Sequence, residues 1–351
     1  MKAAGFALYK PTHLDHIGIL CELLGIPLIL TEESLVEAAH LFYPHLSIEK
    51  RTMAEVGSFE KLDAFDFLFF TCNIWAYETY VCAKEIYNKS TRIVYCPHGN
   101  SDKGHSLSKY DCFPPSDIHL YYGQHMRDLL EERGSLIKIR SMIRTGNYRL
   151  NYYKKRRAFY DQLTERLIFS RFKNKKKTIL YAPTRDSHEG PTSFFDSCGI
   201  LIEELPKNYN LIVKLHPDLF EEFPAQTYRM IGKYSQHEGV LFVENFPPIY
   251  PLLARCACYL GDYSSVGYDF LAFNRPLFFV ESHNKGLMRS APTIRQCGMT
   301  IPFGKGIFPF IEKHIEENQQ TYSSAREKMY SYTFGKDRDI SDIKQELLYT
   351  S

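Results

Sequence analysis

Histidines, an arginine and a pair of serines recur at one kind of place in this sequence, just past a short apolar run. "YCPHGNSDKG" (95–104) sets His98 after such a run on a glycine-bearing loop, with Lys103 nearby. "LYAPTRDSHEG" (180–190) puts Thr184 and Arg185 in the same position, and "LIVKLHPD" (211–218) does so for Lys214 and His216. Asn245 ends "VLFVEN", and "GDYSSVGYDF" (261–270) supplies Asp262, Ser264, Ser265 and Asp269. These residue types share a chemistry. An imidazole titrates near neutral pH, so it can take the proton of a hydroxyl. A guanidinium clamps a phosphate through two parallel hydrogen bonds. Serine is a favoured helix N-cap, and the first turn of a helix offers free N–H groups to an anion. Gly267 would leave room for a ligand to come close. Each stretch also has a plain structural reading: a capped helix, a loop histidine, an Arg185–Asp186 surface pair. Their common placement is what favours chemistry.

The elements that must position them follow one rhythm of short apolar strand, polar loop and amphipathic helix. "GFALYK", "IPLIL", "FDFLFF" (65–70), "RIVYCP" (92–97) and "DIHLYYG" (117–123) read as strands, with helices such as "LDHIGILCELLG" and "QHMRDLLEERG" between them. A long basic helical stretch, "LNYYKKRRAFYDQLTERLIFSRFKNKKK", interrupts the series at 150–177. It restarts with "TILYAP", "NLIVKLHP", "VLFVEN", "CACYLGD" and "PLFFVE", and a charged, helical tail follows. Alternating strands and helices imply parallel sheets covered on both faces. The economical reading is two Rossmann-like halves: 1–150, joined by the tail 316–351, and 151–315. Ligands of such sheets sit at the carboxyl ends of the strands, where the residues above lie. His13 and His16, in the first strand–helix loop, are candidates for the same face.

Composition narrows the classes. The 351 residues carry a net charge of +2 and are 44% hydrophobic and 24% charged, an ordinary globular balance that gives no global pull toward nucleic acid. Nine cysteines without a C-x-x-C pair argue against a zinc ribbon or a redox dithiol and read as buried thiols of a cytosolic protein. Neither a signal peptide nor a spanning helix is expected. No run of residues resembles a metal cage, so neither metal nor cofactor is expected; a loosely held Mg²⁺ stays open. The basic stretches "YYKKRR" (152–157) and "RFKNKKK" (171–177) suit an anionic membrane surface or the wet face of a helix. The expected location is cytoplasmic, with peripheral contact at the inner face of the membrane.

In order along the chain, "PHGNSDKG", "GNYRLN", "ILYAPTRD", "VKLHP" and "DYSSVGYDFLAFNRP" resemble the CDP-glycerol glycerophosphotransferase family of teichoic-acid synthesis. The likeness covers about 90–282, and the last block is the most specific. It departs in the spacing of Lys103, in "NYRLN", which keeps Arg149 but lacks the family's proline and aspartate, and in "APTRD", which is one residue short. The resemblance implies a GT-B-like α/β fold, two Rossmann-like domains facing a cleft. It implies transfer of a polyol phosphate from a CDP-activated donor to an acceptor hydroxyl, lipid-linked or saccharide, releasing CMP. By motif match, His98 and His216 are the catalytic histidines; Arg185, Lys214, Asp262, Ser264, Ser265 and Asp269 line the donor's phosphates and nucleotide; His13, His16 and Lys103 face the acceptor. Two other readings stay open: a GT-B glycosyltransferase using a CMP- or UDP-sugar, and a module that binds a nucleotide or polymer without catalysis.

Overall fold

Parallel pairing organises both halves of the chain. The computed structural model describes residues 2–57, 64–102, 115–186, 190–281, 293–302 and 306–350. Thirteen strands are described: β1 Ala3–Ala7, β2 Leu28–Leu30, β3 Ile48–Lys50, β4 Phe67–Phe70, β5 Arg92–Tyr95, β6 Ser116–Tyr121, β7 Ile139–Arg144, β8 Lys177–Ala182, β9 Tyr209–Lys214, β10 Val240–Val243, β11 Cys258–Gly261, β12 Leu277–Val280 and β13 Met299–Ile301. The first seven form one sheet in the order β3-β2-β1-β4-β5-β6-β7, and the rest a second in the order β10-β9-β8-β11-β12-β13. Every described pairing is parallel. Central strands such as β1, β4, β9 and β11 are buried along their whole length. Burial of successive residues, which point to opposite faces, means that both faces are covered. These are the parallel, doubly covered α/β sheets that the alternation implied, in keeping with the GT-B-like fold that the resemblance implied.

By contacts the chain divides into two compact units, one of 1–100, 107–152 and 332–351, the other of 101–106 and 153–331. The sequence put the tail's change of unit at 316. It comes instead at Tyr332, because one 28-residue helix, Ile307–Phe334, stays with the second unit almost to its end. Within that unit Arg326 of this helix is fully buried and donates to Asn274 Oδ1 at 2.9 Å and to Asn318 Oδ1 at 3.0 Å. From Tyr332 the tail belongs to the first unit: Tyr332 donates to Asp128 Oδ2 at 2.6 Å, and Arg144 to Lys336 O at 2.7 Å.

The basic stretch is two helices, Tyr148–Lys155 and Arg157–Leu167, broken at Arg156, whose φ of −114° and ψ of 24° leave the helical region. Its end, expected to be helical, is a short 3-10 turn, Phe169–Arg171, and then the approach to β8.

One core residue makes the first unit sensitive to acid. His119 in β6 is fully buried beside the Tyr95 ring, centroids 4.9 Å apart, and burial pushes its pKa down to about 3. The unfolded ring titrates near 6.5. Below that pH the unfolded chain binds a proton that the folded chain refuses, so stability falls as pH drops from about 6.5 toward 3, by up to about 1.4 kcal/mol per pH unit. Urea unfolding from pH 7 to pH 4 should show a shallower acid slope in His119→Gln than in wild type. Equal slopes would mean that His119 takes up its proton in the folded state.

Candidate active site

In the first sheet the strand order reverses between β1 and β4, the position where ligands of doubly wound sheets bind. Three histidines gather past the carboxyl ends of these strands and of β5. His13 lies in the 3-10 helix Pro11–Asp15, which follows β1, and His16 starts the helix Ile17–Leu24. His98 follows β5. Its ring centroid is 5.2 Å from that of His13 and 6.5 Å from that of His16. His13 and His16 are buried, whereas His98 is exposed.

The hydrogen bonds fix how the imidazoles carry their protons. His98 Nδ1 lies 3.1 Å from Thr71 O. A carbonyl only accepts, so Nδ1 carries the hydrogen and the lone pair sits on Nε2. Gly99, with φ +131°, turns the chain directly after it in a conformation that side chains resist. His16 Nδ1 is 2.8 Å from Tyr122 Oη, whose own hydrogen goes to Pro97 O at 2.9 Å. His16 therefore donates from Nδ1. Burial, then the charges of Arg149, His98 and His13, push its pKa well below the usual histidine value, so it stays neutral. Arg149 forms a buried ion pair with Asp15 and donates from Nε to Asp15 O at 2.9 Å. Tyr43 Oη donates to Asp15 Oδ1 at 3.1 Å. This pair fastens the 3-10 helix of His13 to the start of helix Tyr148–Lys155.

The second sheet reverses between β8 and β11, and there Asp262 ties the two strand ends together. Its carboxylate accepts from Thr184 N at 2.7 Å and from Ser193 N at 3.3 Å. Buried and engaged with backbone, Asp262 holds together the segments that follow β8 and β11. Asp269 accepts from Tyr250 Oη at 2.8 Å. Ser264 is the N-cap and Ser265 the first residue of Ser265–Phe270, a six-residue helix. Neither side chain caps it: Ser264 Oγ pairs with Tyr259 Oη at 3.1 Å. Gly267, expected to face a ligand, faces the core, where an added Cβ would lie 3.0 Å from Ile294 Cδ1.

Past β8 and β9 lie the cationic groups. Arg185 Nη1 is 3.9 Å from Asp218 Oδ2, so its carboxylate neighbour is Asp218, while Asp186 accepts from Thr192 N at 3.2 Å. Lys214 ends β9 and is nearly buried. His216 Nδ1 accepts the Asp218 N–H at 3.2 Å, which leaves the neutral ring with its proton on Nε2. His98 thus carries its lone pair on Nε2, and His216 its hydrogen there.

Some expectations fall elsewhere. Lys103 lies outside the described residues. The tail spells one D-x-D triplet, Asp337-Arg338-Asp339, but Asp339 accepts from Ser341 N as N-cap of the helix Ile340–Tyr349. Asn100 had not been singled out. It is 2% exposed in the His98 loop, and among the described residues neither side-chain amide atom has a hydrogen-bond partner. An unmade hydrogen bond on a buried amide is costly, which makes Asn100 a candidate for contact with a ligand. Only its place two residues after His98 hinted at this. Tyr148, whose Oη donates to His16 O at 3.2 Å, gave no such sign.

Two parallel sheets, each with polar groups at its switch point, define a GT-B-like α/β protein. Residues 124–285 match the family described as CDP-Glycerol:Poly(glycerophosphate) glycerophosphotransferase. The chain is 29% identical over 175 residues to the teichoic acid glycerol-phosphate primase of Bacillus subtilis, covering 50% of this chain and 43% of that one. The Bacillus spizizenii primase is 27% identical over 185 residues, 51% of this chain and 44% of its own. The chain thus spans less than half the length of these relatives. Among solved structures, the wall teichoic acid polymerase TagF superposes with a TM-score of 0.67 at 16% identity, over 99% of this chain and 88% of that one. HepE of Anabaena, in complex with UDP and glucose, gives 0.56 at 14% identity over 100% and 99%. These two likenesses concern the fold.

Proposed function

We propose that this chain transfers a polyol phosphate, glycerol-phosphate-like, from a CDP-activated donor to an acceptor hydroxyl, with release of CMP. The observation that carries the reading is the opposite proton setting of His98 and His216. The hydroxyl oxygen attacks the phosphorus of the polyol phosphate while the bond from that phosphorus to the CMP oxygen breaks. His98 Nε2 takes the hydroxyl proton as the new bond forms. The His216 N–H and Arg185 meet the charge on the phosphates, which such transfers must neutralise. Lys214 adds a positive charge at the same strand end, and Ser264 and Ser265 orient the donor. His13, His16 and Asn100 surround the acceptor. The relatives' names supply the glycerol phosphate, and the acceptor of this reading is a lipid-linked or saccharide hydroxyl.

The test is mass spectrometry of products after incubation with CDP-alcohols, CMP-sugars and UDP-sugars, each with a lipid-linked saccharide acceptor. Growth of the acceptor by a polyol phosphate, with CMP formed in equal amount, is the expected result. Transfer from a UDP- or CMP-sugar alone would replace it with the glycosyltransferase reading. Binding of cytidine nucleotides without product would leave a binding module.

A further inference from the structure

Strand β5 ends at Tyr95, and the chain must still place His98 accurately. Cys96 N donates to Phe70 O at 2.7 Å and carries the pairing with β4 one step further. Pro97 has no N–H, so its carbonyl is the one backbone hydrogen-bonding group that this residue offers. That carbonyl accepts from Tyr122 Oη at 2.9 Å. The His98 ring is then held by Thr71 O, 3.1 Å from Nδ1, and Gly99 turns the chain at φ +131°. These two side-chain bonds reach the turn from either side. Thr71 follows β4 and Tyr122 follows β6, the two neighbours of β5 in the sheet.

The Tyr122 hydroxyl has little freedom to point elsewhere. The side chain is buried, its ring stacks on Tyr148 with centroids 6.0 Å apart, and it meets the Phe334 ring edge-on at 5.9 Å. With the ring clamped, only the O–H torsion is left. The Nδ1–H of His16, 2.8 Å away, occupies a lone pair of Oη, which turns the hydroxyl hydrogen toward Pro97 O. In a buried chain of this kind each bond polarises the next. Phenylalanine would fill the same space, so packing does not ask for the hydroxyl.

From this chain of bonds we infer that Tyr122 is a positioning residue for His98: its hydroxyl, aimed by His16, fixes the Pro97 carbonyl and so keeps the imidazole on Thr71 O. The consequence is chemical. A neutral imidazole can carry its hydrogen on either nitrogen. A ring that slips from Thr71 O can hold it on Nε2, and in that form has no lone pair there to take the proton of a hydroxyl. The effect on turnover rests on the transfer reading, whereas the effect on the ring is measured without donor or acceptor.

The experiment is nitrogen NMR of the imidazoles in the whole chain, with the His98 signals assigned by their absence from His98→Asn. In wild type at a pH where the ring is neutral, Nδ1 should be protonated and Nε2 bare. In Tyr122→Phe the Nδ1–H population should fall and an Nε2–H population should appear. His16→Leu, which keeps the hydroxyl but loses its aim, should move the His98 ring the same way and less far. Turnover is read as CMP release from CDP-glycerol with a lipid-linked saccharide acceptor. There kcat of Tyr122→Phe should fall about tenfold or more, while calorimetric donor affinity stays within about twofold. A wild-type ring that carries its hydrogen mainly on Nε2 would overturn the inference before any substitution is made. So would a Tyr122→Phe protein whose His98 signals match wild type: with a lowered melting temperature it would make the hydroxyl a structural group only. Absence of product from wild type would instead count against the transfer reading, and the ring signals would still decide whether Tyr122 positions His98.

Discussion

Replacing His98 with alanine is expected to abolish transfer while leaving donor affinity near its wild-type value. A base that touches the acceptor hydroxyl acts in the transition state, so its loss appears in kcat and not in ground-state binding of the donor. Losing a general base commonly costs about 10² to 10⁴-fold. His98→Asn sharpens the experiment. Its amide can still donate to Thr71 O as Nδ1 does, but it has no lone pair where Nε2 stood. If the ring only shapes the loop, the asparagine variant should recover activity; if it is the base, both variants should be equally inactive. Arg185→Ala should do the reverse and weaken donor binding first, because it meets charge that the donor carries before reaction. CMP release from CDP-glycerol, paired with calorimetric donor titration, reads both quantities. Near-normal turnover in either His98 variant would remove His98 from the reaction.

The strands that the sequence showed clearly are those buried on both faces, because such strands read as unbroken apolar runs. β3, β7 and β13 were not singled out, and each is an edge strand of its sheet. "IEK" and "IRSMIR" mix charge with apolar residues, as a half-solvated edge requires. The polar residues at strand ends were legible for the same reason as the central strands, since a parallel sheet sends each strand's carboxyl end to one edge. What they touch was not. Ser264 looked like a cap and pairs with Tyr259; Gly267 looked like ligand space and packs on Ile294. Arg149 carried a family likeness, but its partner Asp15 lies 134 residues away, and only the folded chain brings them together.

That pair yields the largest expected effect on stability. Arg149 and Asp15 are both nearly fully buried, and the guanidinium binds the Asp15 carboxylate and its backbone carbonyl together. Arg149→Met removes the cation, while the Tyr43 hydroxyl still donates to Asp15. Breaking a buried pair from one side costs about 3–5 kcal/mol, since the charge left behind is uncompensated. Removing both charges, Asp15→Asn with Arg149→Met, should restore much of the loss, because the penalty lies in the stranded charge more than in the missing attraction. The effect reaches the site as well. The 3-10 helix held by this pair carries His13, and the Arg149 charge is the second cause, after burial, that keeps His16 neutral. In Arg149→Met the His16 pKa should therefore move up toward its ordinary value, which NMR titration of the imidazole would report. Urea unfolding of the two variants beside wild type gives the energetic half of the test. A single variant costing less than about 1 kcal/mol would mean that water reaches Asp15 and that the pair behaves as a surface bridge.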